Sequence, residues 1–258
     1  MRKSPTPGFT KISRAAIGIY LLLFCLPVGC EPLQLRIEHK EMMPSVSPEL
    51  RPGSKFNLNI TQEAANNIWV KIPAWLAGTW LVNTETTVFR QDCRTGSTSA
   101  SPTLFTAKSR FTYGKQRDRE GGIWHYLGVP YCSSTDFPTF TEYHQVSSKE
   151  CVANSPNSIS LKTQFDVVRV SKSTRKVIET LQQESITTYD FVNVDELAMK
   201  SSTKVFDDLG IARNVVRNQA VVSRAEPFAQ IDAEDGKNLH ELFRQFLLAK
   251  NLTSLLPD

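Results

Sequence analysis

From residue 80 onward apolar and polar side chains alternate, the two-residue period of strands that bury one face. The clearest run is 104–113, where Phe105, Ala107, Ser109, Phe111 and Tyr113 fall on one side and Thr106, Lys108, Arg110 and Thr112 on the other. The same period sets Ile159, Leu161, Thr163, Phe165 and Val167 against Ser160, Lys162, Gln164 and Asp166, and Leu197, Met199, Ser201, Thr203 and Val205 against Lys200, Ser202 and Lys204. Weaker runs at 78–90, 122–131, 138–147, 176–191 and 213–224 bring the predicted strands to eight. Turn-rich pieces such as Arg94-Thr95-Gly96-Ser97 and Asn154-Ser155-Pro156-Asn157 separate them. Eight strands joined by short links, with no helix between them, predict a mainly β domain: an antiparallel up-and-down meander able to close into an eight-stranded barrel and so remove its edges.

Helical spacing appears twice outside this region. Residues 61–68 start at Thr61, a capping residue. At 238–250, Asn238 with Glu241 three positions on makes a capping-box-like start, and Leu239, Leu242, Phe243, Phe246 and Leu247 share one face. That stripe is expected to pack on the outside of the sheet, a partner-docking helix being the other use. From Glu31 to about Asn59 the chain is rich in Pro, Ser and charge, with Pro32, Pro44, Pro48 and Pro52 and no sustained apolar period. It reads as a tether. The expected division is therefore 1–29 as a signal peptide, 30–60 as a flexible tether and 61–258 as the β domain with its terminal helix.

The leader changes the meaning of the composition. An uncharged apolar stretch, Ala15–Val28, follows Arg2, Lys3, Lys11 and Arg14, the order of a secretory signal. It is shorter than the ~20 residues of a membrane-crossing helix. Of 30 Lys and Arg and 26 Asp and Glu, the first 29 residues hold four basic and no acidic ones, so the remainder is formally neutral. With no basic cluster interleaved with aromatics, nucleic acid is excluded as a partner. The remaining ~229 residues, in a chain with 40% hydrophobic content, are enough for one substantial core.

Two stretches resemble known classes. Leu26-Pro27-Val28-Gly29-Cys30 resembles the bacterial lipobox, with proline where leucine is usual. That resemblance implies that Cys30 is lipidated and becomes the mature N-terminus, with palmitate among its acyl chains. The body would be held at the cell envelope, on the periplasmic face of the outer membrane, through a lipid anchor. The stretch Pro73-Ala74-Trp75-Leu76-Ala77-Gly78-Thr79-Trp80 places Gly-x-Trp at the start of the first strand and is similar to the opening signature of lipocalins and the wider calycin group. In that family the tryptophan plugs the closed end of an eight-stranded barrel under an arginine from the last strand. The resemblance implies Trp80 as plug and Arg217 or Arg224 as its cover. The family's middle signature, Thr-Asp-Tyr, is replaced here by Thr188-Tyr189-Asp190.

Within such a barrel the inward faces mix bulky and small residues. The expected ligand-binding set is Trp80, Phe105, Ser109, Phe111, Phe165 and Met199. An interior filled by its own side chains is the alternative, since eight strands leave room for either. In an exported protein Cys93, Cys132 and Cys151 are candidates for oxidation. Up-and-down order places Cys93 and Cys132 at one end, which makes them the preferred disulfide, with Cys132–Cys151 as the shorter-loop alternative.

No Gly-x-Ser-x-Gly, His-Glu-x-x-His, phosphate loop or Gly-x-Gly-x-x-Gly occurs, and the cysteine spacings fit no zinc pattern. No catalytic residue, metal ligand or cofactor is therefore assigned. His125 and His144, on neighbouring predicted strands, are the pair that a metal or haem would use. Their ordinary role is on the polar face or hydrogen-bonded inside the barrel. The functional expectation is a non-catalytic envelope lipoprotein that binds a small apolar ligand or lipid. Its alternative is an accessory lipoprotein of an envelope-spanning secretion or conjugation apparatus, docking on a protein partner. An exported enzyme comes third.

Overall fold

The computed structural model describes residues 38–57 and 66–257. The leader, Cys30 and most of the helical piece at 61–68 lie outside the described residues.

Among the described residues fourteen strands run in chain order as β1 (Trp69–Ile72), β2 (Gly78–Asp92), β3 (Thr98–Ser99), β4 (Thr103–Tyr113), β5 (Gln116–Arg117), β6 (Ile123–Tyr126), β7 (Tyr131–Asp136), β8 (Phe140–Ser155), β9 (Ser158–Ser171), β10 (Val177–Asn193), β11 (Glu196–Phe206), β12 (Ala212–Pro227), β13 (Ala233–Glu234) and β14 (Lys237–Asn238). One α-helix, α1 (Leu239–Ala249), follows. The chain is mainly β, the ladders are antiparallel, and all eight predicted strands are present in whole or part.

The large sheet has the order β3-β2-β12-β11-β10-β9-β8-β7, with β4 also paired to β2. It is deeply curled. Strands β4 and β10 stand four places apart, which in a flat sheet is ~19 Å. Yet the Tyr113 and Tyr189 rings meet at 5.3 Å, and those of Phe111 and Tyr189 at 5.8 Å. The concave face holds the main core, with Trp80, Val82, Ile159, Leu197, Met199 and Val222 buried against Phe111 and Tyr113.

The expected closed barrel is not formed. Among the described residues no ladder joins β4 to β7, and the number of strands differs from eight. The reason lies at 122–131, expected as the third strand of the meander. There β6 covers 123–126, Gly128 at φ 55° followed by Pro130, which has no N–H to donate, ends the run, and residue 131 already opens β7. Strand β6 instead pairs with β1 and β5 in a separate three-stranded sheet. Alternation gives that sheet two buried faces: Ile72 and Ile123 join the large sheet's core, while Trp69, Trp124 and Tyr126 meet Phe243, Phe246, Leu239 and Leu247 of α1.

Helix α1 thus uses its apolar stripe internally, on the small sheet rather than the large one. Its start is capped as the sequence suggests, Asn238 Oδ1 accepting the Glu241 amide at 2.9 Å. The small sheet lies beside the lower half of β8, which β7 does not reach, because β7 pairs only with Thr141–Val146. There Asn154 Nδ2 donates to the Lys71 carbonyl (3.2 Å) and Trp75 Nε1 to the Pro156 carbonyl (2.6 Å).

Residues 38–57, within the stretch read as a tether, run along the convex face. Val46 and Leu50 bury against Val168, Val170 and Val177, and Phe56 packs on Tyr143 at 4.6 Å. The Met43 amide bonds to the Gly210 carbonyl. At φ +82°, Gly210 leaves no room for a Cβ, which would fall 1.8 Å from the Met43 carbonyl oxygen. Proline-rich composition marks an extended chain, and an extended chain is free to dock along a sheet as well as to span a gap.

Candidate functional site

The Gly78-Thr79-Trp80 segment builds the closed end of the trough. Trp80 is fully buried, and its Nε1 donates to the Leu76 carbonyl at 2.8 Å. Arg224, not Arg217, covers it: the guanidinium lies 4.1 Å from the ring centroid and donates to the carbonyls of Ala77 (2.7 Å) and Trp75 (2.9 Å). Arg217 lies over Phe89 instead. Gly78 takes φ +131°, and a Cβ there would come within 2.6 Å of both Arg224 Nη1 and the Glu226 carbonyl oxygen. Gly78→Ala is therefore expected to cost about 1–3 kcal/mol through strain and displacement of Arg224, read as a lowered urea midpoint at unchanged slope.

Trp80, Phe111 and Met199 of the expected ligand set come together in this apolar floor. Phe105 and Ser109 lie farther along β4 and are exposed. Phe165 is half-buried and stacks on His144, centroids 5.9 Å apart. None of the six lines the partly open cavity between the concave face and β6.

That cavity, of about 200 Å³, lies between the concave face and β6 and is lined by Tyr113, His125, Leu127, Lys149, Glu150, Leu161, Thr163, Thr187 and Tyr189. The register builds its large-sheet wall: Thr187 pairs with Leu161, Tyr189 with Ile159, and Lys149 with Thr163. A bulge between Val146 and Ser148 turns Lys149 onto the same face as Thr163. Simple alternation from 138–147 gives no such placement, which is why sequence reasoning missed it. Tyr113, Leu161 and Thr163, by contrast, are on the faces that the alternation predicts as inward.

The polar groups of this cavity are in unusual states. Burial, reinforced by the Lys115 and Lys149 charges, pushes His125 down to about 3, so its ring is neutral. Its Nδ1 is buried with no hydrogen-bond partner among the described residues. The Tyr113 and Tyr189 rings meet edge-on at 5.3 Å. Burial raises both, Tyr189 to about 12, and both stay protonated. Among the described residues no carboxylate pairs with Lys149, whose ammonium sits over the Tyr131 ring at 4.8 Å. Outside the lining, Glu85 accepts from Asn218 Nδ2 (3.2 Å), and burial raises its carboxyl.

The two histidines do not converge. His144 pairs with Glu142 (2.8 Å) on β8, whereas His125 belongs to the small sheet. No group of three or more metal-ligating side chains occurs among the described residues. Cys93, Cys132 and Cys151 carry free thiols, so the expected Cys93–Cys132 bridge is absent. With β6 outside the large sheet, the count that set both cysteines at one end fails. Cys93 follows β2 beside Arg213, while Cys132 pairs with Gln145 midway along β8. No protein-family model, curated protein or solved structure matches the chain.

Proposed function

We propose that the protein is a non-catalytic, lipid-anchored envelope protein whose curled sheet takes up one small, largely apolar ligand, in the manner of the lipocalin-like class that Gly78-Thr79-Trp80 resembles. The observation that carries this reading is the partly open cavity above the Trp80 floor, where the aromatic and aliphatic carbon of Tyr113, Tyr189, Leu127 and Leu161 is interspersed with the polar groups of His125, Lys149, Thr163 and Thr187. The Trp80–Arg224 stack supports it, because it seals one end of the trough with a rigid plug. The anchor follows from Cys30 after the apolar leader. No helix of the described residues is long and apolar enough to cross a membrane.

Native mass spectrometry of the full chain purified from envelopes tests both halves. The expected result is acyl mass on Cys30 together with a retained small molecule, the latter lost in Thr187→Trp, whose indole fills the cavity. A chain with its first methionine and an unmodified Cys30 removes the anchor, and equal ligand retention by Thr187→Trp removes the cavity.

A further inference from the structure

We infer that the ligand of this cavity is a small carboxylate with an aromatic or compact alicyclic body, its carboxyl group held by Lys149. The inference rests on the ligand-binding reading above and adds the chemical class.

Size comes first. A cavity of about 150 Å³ accommodates benzene, so about 200 Å³ accommodates a ring of that size with one small substituent. A long acyl chain exceeds it. The walls fit a ring: Tyr113, Tyr189, His125 and Leu161 present flat or branched apolar surface, and Tyr113 already meets His125 edge-on at 5.0 Å and Tyr189 edge-on at 5.3 Å.

Charge decides the substituent. Two charged side chains reach the lining, Lys149 and Glu150. Glu150 is exposed and pairs in register with Lys162, which is bound to Glu184 on the convex side. Lys149 is the inward one. A half-buried ammonium shares this space with a neutral imidazole, two protonated phenols and the hydroxyls of Thr163 and Thr187, and among the described residues no carboxylate is ion-paired with it. A ligand carboxylate supplies that partner and forms a charge-assisted bond to Nζ, the strong kind. Glu85 is engaged by Asn218 and lies outside the lining, so it offers no matching seat for a cation.

The test is calorimetry on the full chain in lipid nanodiscs with three probes of one shape: benzoate, benzyl alcohol and benzylamine. Benzoate is expected to bind one to one and about tenfold or more tighter than benzyl alcohol. Lys149→Met should bring benzoate down to the level of benzyl alcohol while leaving benzyl alcohol within about twofold, and Lys149→Arg should restore the preference. Saturation with benzoate should also move the His125 ring-nitrogen resonances. Benzyl alcohol or benzylamine binding as tightly as benzoate, or an undiminished preference in Lys149→Met, overturns the carboxylate and leaves the cavity standing. Failure of all three probes to bind overturns the cavity reading as well.

Discussion

Trp80→Ala is expected to lower the unfolding free energy by roughly 3–5 kcal/mol, the cost of emptying a large buried aromatic site. The side chain is wholly enclosed, and further groups depend on it. The Leu76 carbonyl loses its indole donor. Arg224 loses the ring beneath its guanidinium, and with it the position from which it serves the carbonyls of Trp75 and Ala77. Urea titration of the full chain measures the loss, and for a domain of this size a fall of about 10 °C in melting temperature should accompany it. Trp80→Phe keeps most of the volume and is expected to lose less than half as much. A change below about 1 kcal/mol in Trp80→Ala would mean that the floor collapses around the gap and that the plug is not what organises the closed end.

Glu184→Ala should be comparably damaging, about 3–5 kcal/mol, because it strands a buried cation. The Glu184 carboxylate is fully enclosed on the convex face and accepts from Lys162 Nζ (2.8 Å), the Lys40 amide (2.9 Å) and Gln164 Nε2 (2.9 Å), with His39 Nδ1 at 3.2 Å. It is the polar clasp that fixes the start of the 38–57 segment. Hydrogen exchange should therefore show protection lost first at 39–50, ahead of the sheet.

The pH dependence has a definite sign. Burial alone would raise Glu184, but the bonds from Lys162, Lys40 and Gln164 outweigh it and hold the carboxyl below its ordinary 4.5. Its contribution is present above that value and disappears as pH falls through the folded pKa. Burial lowers His39 from 6.5 despite Glu184. The unfolded chain therefore takes up a proton there first, and stability begins to fall as pH drops below about 6.5. Proteolysis of the segment should accelerate in two stages, below 6.5 and again below 4.5. A flat profile from pH 7 to 4 would show that the clasp does not hold the segment.

Most of the eight strands and the terminal helix were legible in the sequence because each buries one face more than the other, so that its period survives as a visible alternation. What was not legible follows from departures from that rule. Ile123-Trp124-His125-Tyr126 is covered on both faces, one by the core and one by α1, so its run carries no sign of which sheet it joins. Tyr131–Asp136 is exposed throughout and shows no period at all. The bulge at Ser147 reverses the parity of β8 below it, which moved Lys149 inward and out of reach of any count by twos. Trp80 was found because a glycine with a positive φ leaves a short motif behind, and its arginine was narrowed to Arg217 or Arg224, whereas the cavity lining comes from β4, β6, β8, β9 and β10 and leaves none.

The pairing of β2 with β12 joins residues 122 to 149 positions apart, from Asp92 with Asn214 to Gly78 with Pro227. Local hairpins from β8 to β12 can form as each strand emerges, but β2 waits, with β4 at its side, until nearly the whole polypeptide is present. Closing so long a loop costs entropy before any contact returns it, which makes this ladder the slow step of maturation. During that wait an aromatic-rich half-core stands open to its surroundings. A chain delivered across a membrane from its N-terminus would pass through this vulnerable interval on the far side, where a holding chaperone has the most to protect.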